Sequence, residues 1–211
     1  MSYIPIVLKG NDKNIVFVGQ GRAILEKIEK FKSFSKHLIF LCTDNQQSNV
    51  ENCEMIYMNP SQWNTYVEDL KPRFVVQAGL DEIKSKELYQ YCIEHYIEIN
   101  TVDEPSLCTF IMPVVFEQGK LNISISTSGA SPMMARLLMN QFTNQLPDDI
   151  DEILDWFYML RRTIKPQLNI TFKEWRVLQQ NLCEKVLELE RILNEDELNE
   201  YIQTYKKTDV I

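Results

Sequence analysis

The stretch NIVFVGQGRAILEKI, residues 14–28, constrains the fold more than any other part of this chain. Ile15, Val16, Phe17 and Val18 form a run of β-branched and aromatic residues, the composition of a buried strand. Gly19-Gln20-Gly21 follows at once, and then a helix-like segment. A strand that breaks on Gly-x-Gly and restarts as a helix is how a dinucleotide-binding turn begins. Gly19 permits the tight turn, and Gly21 lets the backbone approach a pyrophosphate. A helix starting near Arg22 and Ala23 would present unpaired N–H groups to that phosphate. The usual third small residue is replaced by Ile24, so either the helix stands off the strand or Ile24 points elsewhere. A ribose-binding carboxylate is expected about 20 residues beyond the glycines. There LIFLCTDN ends in Thr43 and Asp44, which also suit a strand-end turn. An Asp at that place favours NAD over its 2′-phosphorylated form.

The residues around this turn alternate strand-like and helix-like segments. NIVFVG, HLIFLC, CEMIYM, RFVVQAG and IEINTV read as strands. RAILEKIEKFKSF, SQWNTYVEDL capped by Ser61, and SKELYQYCIEHY capped by Ser85 read as helices. Such alternation means a parallel sheet with helical crossovers, an α/β fold. The strand runs lack period-two alternation, as expected when both sheet faces are covered. After Pro113, PVVFEQG and KLNISIST do alternate, and they form a plausible antiparallel pair through Gln118-Gly119. Ser131 is a good N-cap with Pro132 in the first helical position. From about Pro147 onward the chain is helix-like, with acidic residues early and Arg161-Arg162 late in PDDIDEILDWFYMLRRTI, as the helix dipole favours.

Composition removes several function classes. With 211 residues, 45% hydrophobic and 25% charged, the chain suits a soluble globular protein with a real core. A net charge of -8 and a pI near 4.9 argue against nucleic acid as a partner. No apolar run approaches the roughly 20 residues that span a bilayer. The N-terminus MSYIPIVLKG is too short and polar for a signal peptide, so a cytoplasmic location is expected. Cys42, Cys53, Cys92, Cys108 and Cys183 are scattered, as free thiols of a reducing compartment would be. His37 and His95 are the only histidines, so no metal site is expected.

Residues 99–138 are the most specific. They supply Asn100, Val102 and Asp103, then Phe110 and Pro113, a strand pair, and the loop Ser126-Thr127-Ser128-Gly129 leading to Ser131-Pro132 and Ala135-Arg136. This segment resembles the siroheme synthase N-terminal family. Its members are precorrin-2 dehydrogenases, some of them also sirohydrochlorin ferrochelatases. The opening IPIVLKGNDKNIVFVG also looks like that family's first hairpin and strand. The resemblance implies a Rossmann-like NAD-binding domain over residues 1–113, a β dimerisation region with the serine-rich loop and helix over 114–146, and a helical domain over 147–211. It implies a homodimer that oxidises precorrin-2 to sirohydrochlorin with NAD, and it places the family's catalytic Asp at Asp103. That residue follows a strand, so it should sit at the carboxyl edge of the sheet, where it could stabilise a cationic tetrapyrrole and accept its proton. A turn residue or helix cap is the plainer reading of an Asp before Glu-Pro.

The remaining assignments follow the same match. Gly19, Gly21, Arg22, Ala23, Thr43, Asp44 and Gly79 are the expected cofactor contacts. Asn100, Ser126, Thr127, Ser128, Gly129, Ser131 and Arg136 are the expected substrate contacts. Hydroxyls and N–H groups at a helix start suit a polycarboxylate such as precorrin-2, although N-capping alone accounts for Ser131. Thr127 stands where some members carry a phosphorylatable serine. The chain departs from the family at Ile24, at Gly79-Leu80 where Thr-Asp is usual, and at Ser85 where an Asn is usual. Two alternatives therefore stay open: a ferrochelatase with a weakened NAD site, and a non-catalytic tetrapyrrole-binding protein.

Overall fold

The computed structural model of the chain describes residues 3–10, 13–42 and 50–208, with side chains described to residue 205. Contacts divide it into two compact units, Met1–Met112 and Pro113–Ile211.

In the first unit, β1 (Ile15–Gly19), β2 (Leu38–Cys42), β3 (Cys53–Tyr57), β4 (Phe74–Ala78) and β5 (Glu98–Thr101) form one sheet in the order β3-β2-β1-β4-β5. Every pairing is parallel. Helix α1 (Arg22–Phe31) joins β1 to β2, α2 (Trp63–Leu70) joins β3 to β4, and α3 (Glu82–Glu94) joins β4 to β5. The chain builds outward from β1 to β3 and then returns to lay β4 on the other side of β1. The strand order therefore reverses between β1 and β4, the place where open α/β sheets bind ligands at their carboxyl ends.

β1, β2 and β4 are buried at all positions, which explains why their sequences do not alternate. Their side chains still divide between two faces. Ile15 and Phe17 join Ile24, Ile28 and Phe31 of α1 on one face. Val16 and Val18 join Trp63 and Val67 of α2 and Leu88 and Cys92 of α3 on the other. Each large apolar side chain buried this way contributes about 1.5–3 kcal/mol.

Three local expectations change. Helix α2 is entered through a short 3-10 turn capped by Asn59, whose side chain accepts from Ser61 N, so Ser61 is not the cap. Helix α3 starts four residues earlier than a cap at Ser85 implies. Asp81 accepts from Lys84 N, and a carboxylate just ahead of Glu82 is the better cap. Ser85 lies inside α3 and is nearly buried. The expected opening hairpin is not formed: residues 3–10 carry no strand, and residues 11 and 12 lie outside the described residues.

In the second unit, β6 (Val114–Gln118) and β7 (Leu121–Ile125) form an antiparallel hairpin. Its turn is Gly119-Lys120, with Gly119 at φ 54. Helix α4 (Pro132–Thr143) packs on this hairpin. It is capped by Ser131 with Pro132 in its first position, as expected. Helices α5 (Ile150–Thr163), α6 (Phe172–Leu189) and α7 (Glu195–Thr208) follow. Ile153, Leu160, Trp175, Leu178, Leu182, Val186, Leu198 and Ile202 make their core. Thr171 and Glu174 fix the start of α6 through a reciprocal capping box.

Candidate active site at the carboxyl edge of the sheet

The turns after β1 and β4 interlock. Gln20 N donates to Ala78 O at 3.1 Å. Gly19 lies at φ 136, and a Cβ there would sit 1.8 Å from Ala78 O. Gly79 lies at φ 71, and its Cβ would meet Gln20 O at 2.3 Å. Neither position admits a side chain. Gly79, one of the departures from the family pattern, is what lets the second turn pass beneath the first.

Gly21 differs from these two. It lies at φ 80, and a Cβ there would project into open space. Gly21 caps α1 with no side chain on the helix N–H groups, and the first turn carries no acidic residue. Arg22 is exposed and bonds Glu26 at 2.8 Å, and Ala23 is exposed. Open space, helix N–H groups with no side-chain cap among the described residues, and a positive helix end suit the pyrophosphate of a dinucleotide. Ile24 does not face the turn. It is fully buried beside Phe17 and Ile28, filling the gap between α1 and the sheet that a small residue would close by nearer approach. Thr43 and Asp44 lie outside the described residues.

Asp103 sits in the turn that follows β5. Glu104 N donates to Thr101 O at 3.3 Å, and Asp103 takes φ 64, in the left-handed region. A non-glycine residue held there costs about 1–3 kcal/mol, least for Asp and Asn. Its side chain is exposed on the wall of an open cleft of about 510 Å³, shared with Ala78, Gly79, Ser85, Thr101 and Glu104. This cleft lies over the carboxyl ends of β4 and β5, and Gly79 connects it to the glycine turn. Asp103 thus sits at the carboxyl edge of the sheet, as its position after a strand implied.

Asn100 is set back from the cleft. It is buried, and its Nδ2 donates to Phe110 O at 3.0 Å. It ties β5 to the returning chain.

The serine-rich loop belongs to the second unit. Thr127 Oγ1 accepts from Ser131 N at 3.0 Å, and Ser126 Oγ accepts from Ser128 N at 3.1 Å. Ser128 at φ 53 and Gly129 at φ 84 curl the loop, and Ser131 Oγ caps α4 by accepting from Met134 N at 3.2 Å. Ser128 N, Ala130 N, Ser131 N and Met134 N are thus engaged within the loop, while the Ser126 and Ser128 side chains, Gly129 and Arg136 stay exposed.

Three residues escaped the sequence reading. Gln77 is a fully buried amide in β4. Cys108 contacts both sides of the Asp103 turn, since Thr101 N donates to its sulfur at 3.1 Å and the thiol faces Glu104 O at 3.4 Å. Lys27 shares the helical stripe of Ile24, Ile28 and Phe31 and is half-buried. Burial holds its ammonium below the usual lysine pKa, with Lys30 adding to the effect, while Asp103 and Cys108 act the other way. A polar residue inside FVVQA and a lysine on an apolar stripe were the signals to find two of them. Nothing in the local pattern marks Cys108.

All five cysteines are free. Burial raises the thiols of Cys53 and Cys92 to about 12, and raises Cys108 and Cys183 as well, so these four stay protonated.

The chain is similar to several known proteins. Siroheme synthase of Buchnera aphidicola subsp. Acyrthosiphon pisum (strain APS) is 27% identical over 207 residues, covering 92% of this chain and 41% of that protein. Siroheme synthase of Ruthia magnifica subsp. Calyptogena magnifica is 26% identical over 181 residues, covering 80% of this chain and 36% of that protein. The chain thus spans less than half the length of these relatives. Among solved structures, SirC, precorrin-2 dehydrogenase, superposes with a TM-score of 0.65 at 19% identity, covering 98% of this chain and 100% of that one, and so shares its fold. The family model NAD_binding_7, described as "Putative NAD(P)-binding", matches residues 6–114, just over half of the chain. By that match the chain belongs to the NAD_binding_7 family.

Proposed function

We propose that this protein is an NAD-dependent precorrin-2 dehydrogenase that oxidises precorrin-2 to sirohydrochlorin. The observation that carries the reading is Asp103, a carboxylate on a cleft at the carboxyl ends of β4 and β5, joined through Gly79 to an uncapped helix N-terminus. Similarity to siroheme synthases and a fold shared with SirC support it.

In this reading Gly19, Gly21, Gly79 and the first turn of α1 at Arg22 and Ala23 hold NAD, with Thr43 and Asp44 toward the ribose. NAD, when bound, supplies the hydride acceptor. Asp103 offers a fixed negative charge to the cationic macrocycle and takes the departing proton on a carboxylate oxygen. Precorrin-2 therefore loses a hydride and a proton, and the products are sirohydrochlorin, NADH and H⁺. Ser126, Thr127, Ser128, Gly129, Ser131 and Arg136 hold substrate carboxylates, as hydroxyls, N–H groups and a guanidinium do. Asn100 ties β5 to Phe110 O and to the sulfur of Cys108.

Within the second unit, we assign residues 114–146 to a dimerisation region and 147–211 to a helical domain. Support for a homodimer comes from exposed Met133, Met134, Leu137 and Phe142 on α4 and Val115 on β6. Support for a cytoplasmic location comes from the five free cysteines. Among the described residues no helix is long and apolar enough to cross a membrane.

The test is incubation of the protein with precorrin-2 and NAD, following NADH and the sirohydrochlorin spectrum together. Equimolar appearance of both is expected. Metal insertion into sirohydrochlorin with no NADH would favour the chelatase. Tetrapyrrole binding with neither product would favour a carrier.

A further inference from the structure

Gln77 is fully buried near the end of β4, a strand otherwise apolar. Its Nε2 donates to Thr101 Oγ1 at 2.7 Å and to Ser85 O at 3.0 Å. Its own carbonyl accepts from Val102 N at 2.9 Å. Thr101 passes the constraint on by donating Oγ1 to Leu107 O at 2.6 Å. On the other side Cys108 sulfur accepts from Thr101 N, and its thiol faces Thr101 O at 3.3 Å and Glu104 O. Gln77 and Cys108 thus hold the turn that carries Asp103 in its left-handed conformation. Among the described residues Gln77 Oε1 has no hydrogen-bond partner.

We propose that Gln77 is a positioning residue, which together with Cys108 fixes the Asp103 carboxylate over the cleft. The inference rests on Asp103 being the proton acceptor. A left-handed Asp persists only where its surroundings determine it, and a small misplacement of a reacting group lowers rate far more than binding. Released from Gln77, the turn keeps its sequence and loses its aim.

The test compares the wild-type protein with Gln77→Met, which fills nearly the same volume without the amide. We expect kcat to fall about ten- to a hundredfold with the Kd for NAD unchanged. Backbone order parameters of Val102, Asp103 and Glu104 should drop from a rigid value near about 0.85 toward a mobile one below about 0.6. Cys108→Val tests the clamp from the other side should Gln77→Met not fold, and Cys108→Ser should recover most of what Cys108→Val loses. Wild-type kcat in the folded variants, or unchanged order parameters, would overturn the proposal. If the wild-type protein makes no NADH, the dehydrogenase reading fails while the order parameters still decide whether the clamp exists.

Discussion

Two turns at the same sheet edge solve opposite problems. The turn after β1 works by omitting the side chain at two of its positions: Gly19 passes against Ala78 O, and Gly21 leaves open space at the start of α1. The turn after β5 adopts an equally unusual backbone, yet keeps a side chain at its left-handed position, Asp103. Glycine would fit there with less strain. One turn therefore keeps its approach to the start of α1 clear of side chains, and the other keeps a carboxylate at some expense in stability. That contrast is the strongest local argument for chemistry at Asp103.

The sharpest way to break the contrast is Asp103→Gly. Turnover should fall about 10²–10⁴-fold, the usual contribution of a positioned acid or base. The melting temperature should hold or rise, since the left-handed strain is relieved. Loss of both activity and stability would mean that Asp103 is a structural turn residue.

Ile24 sharpens the other side. If the glycine turn followed the common pattern, a small residue at 24 would improve it. Because Ile24 is fully buried between α1 and the sheet, Ile24→Ala should instead cost about 2–5 kcal/mol in chemical denaturation. NAD affinity should not rise. A smaller effect is expected for Gly21→Ala, whose Cβ meets no protein atom but stands where a pyrophosphate would approach. Stability should fall by about 1–3 kcal/mol, because φ 80 with ψ -176 is a backbone region essentially confined to glycine. NAD binding measured by calorimetry should weaken by about tenfold or more.

How much of this was legible in the sequence follows from where each constraint arises. Apolar strand runs and the Gly-x-Gly break are local, so β1, β2, β4 and the α/β alternation could be read directly. Helix starts were less legible, because several capping residues compete within a few positions. Asn59 outbids Ser61 and Asp81 outbids Ser85 by placing an acceptor on the right N–H. The direction of Ile24 depends on the packing distance between α1 and the sheet, and no local pattern encodes that. Gly79 looked like drift from a Thr-Asp pair, yet its reason lies in Gln20, distant in sequence and adjacent across the sheet edge. The hydrogen bonds of Gln77 and Cys108 to the Asp103 turn are likewise tertiary.

The most direct test of the account is a single-turnover reaction of precorrin-2 with protein presaturated with NAD, comparing wild type with Asp103→Asn. Asparagine tolerates the left-handed backbone and keeps the shape while removing the charge and the proton acceptor. The account predicts a burst of NADH in the wild type and its near-complete loss in the variant, with NAD binding equal in both. A burst of the same rate in Asp103→Asn would contradict it.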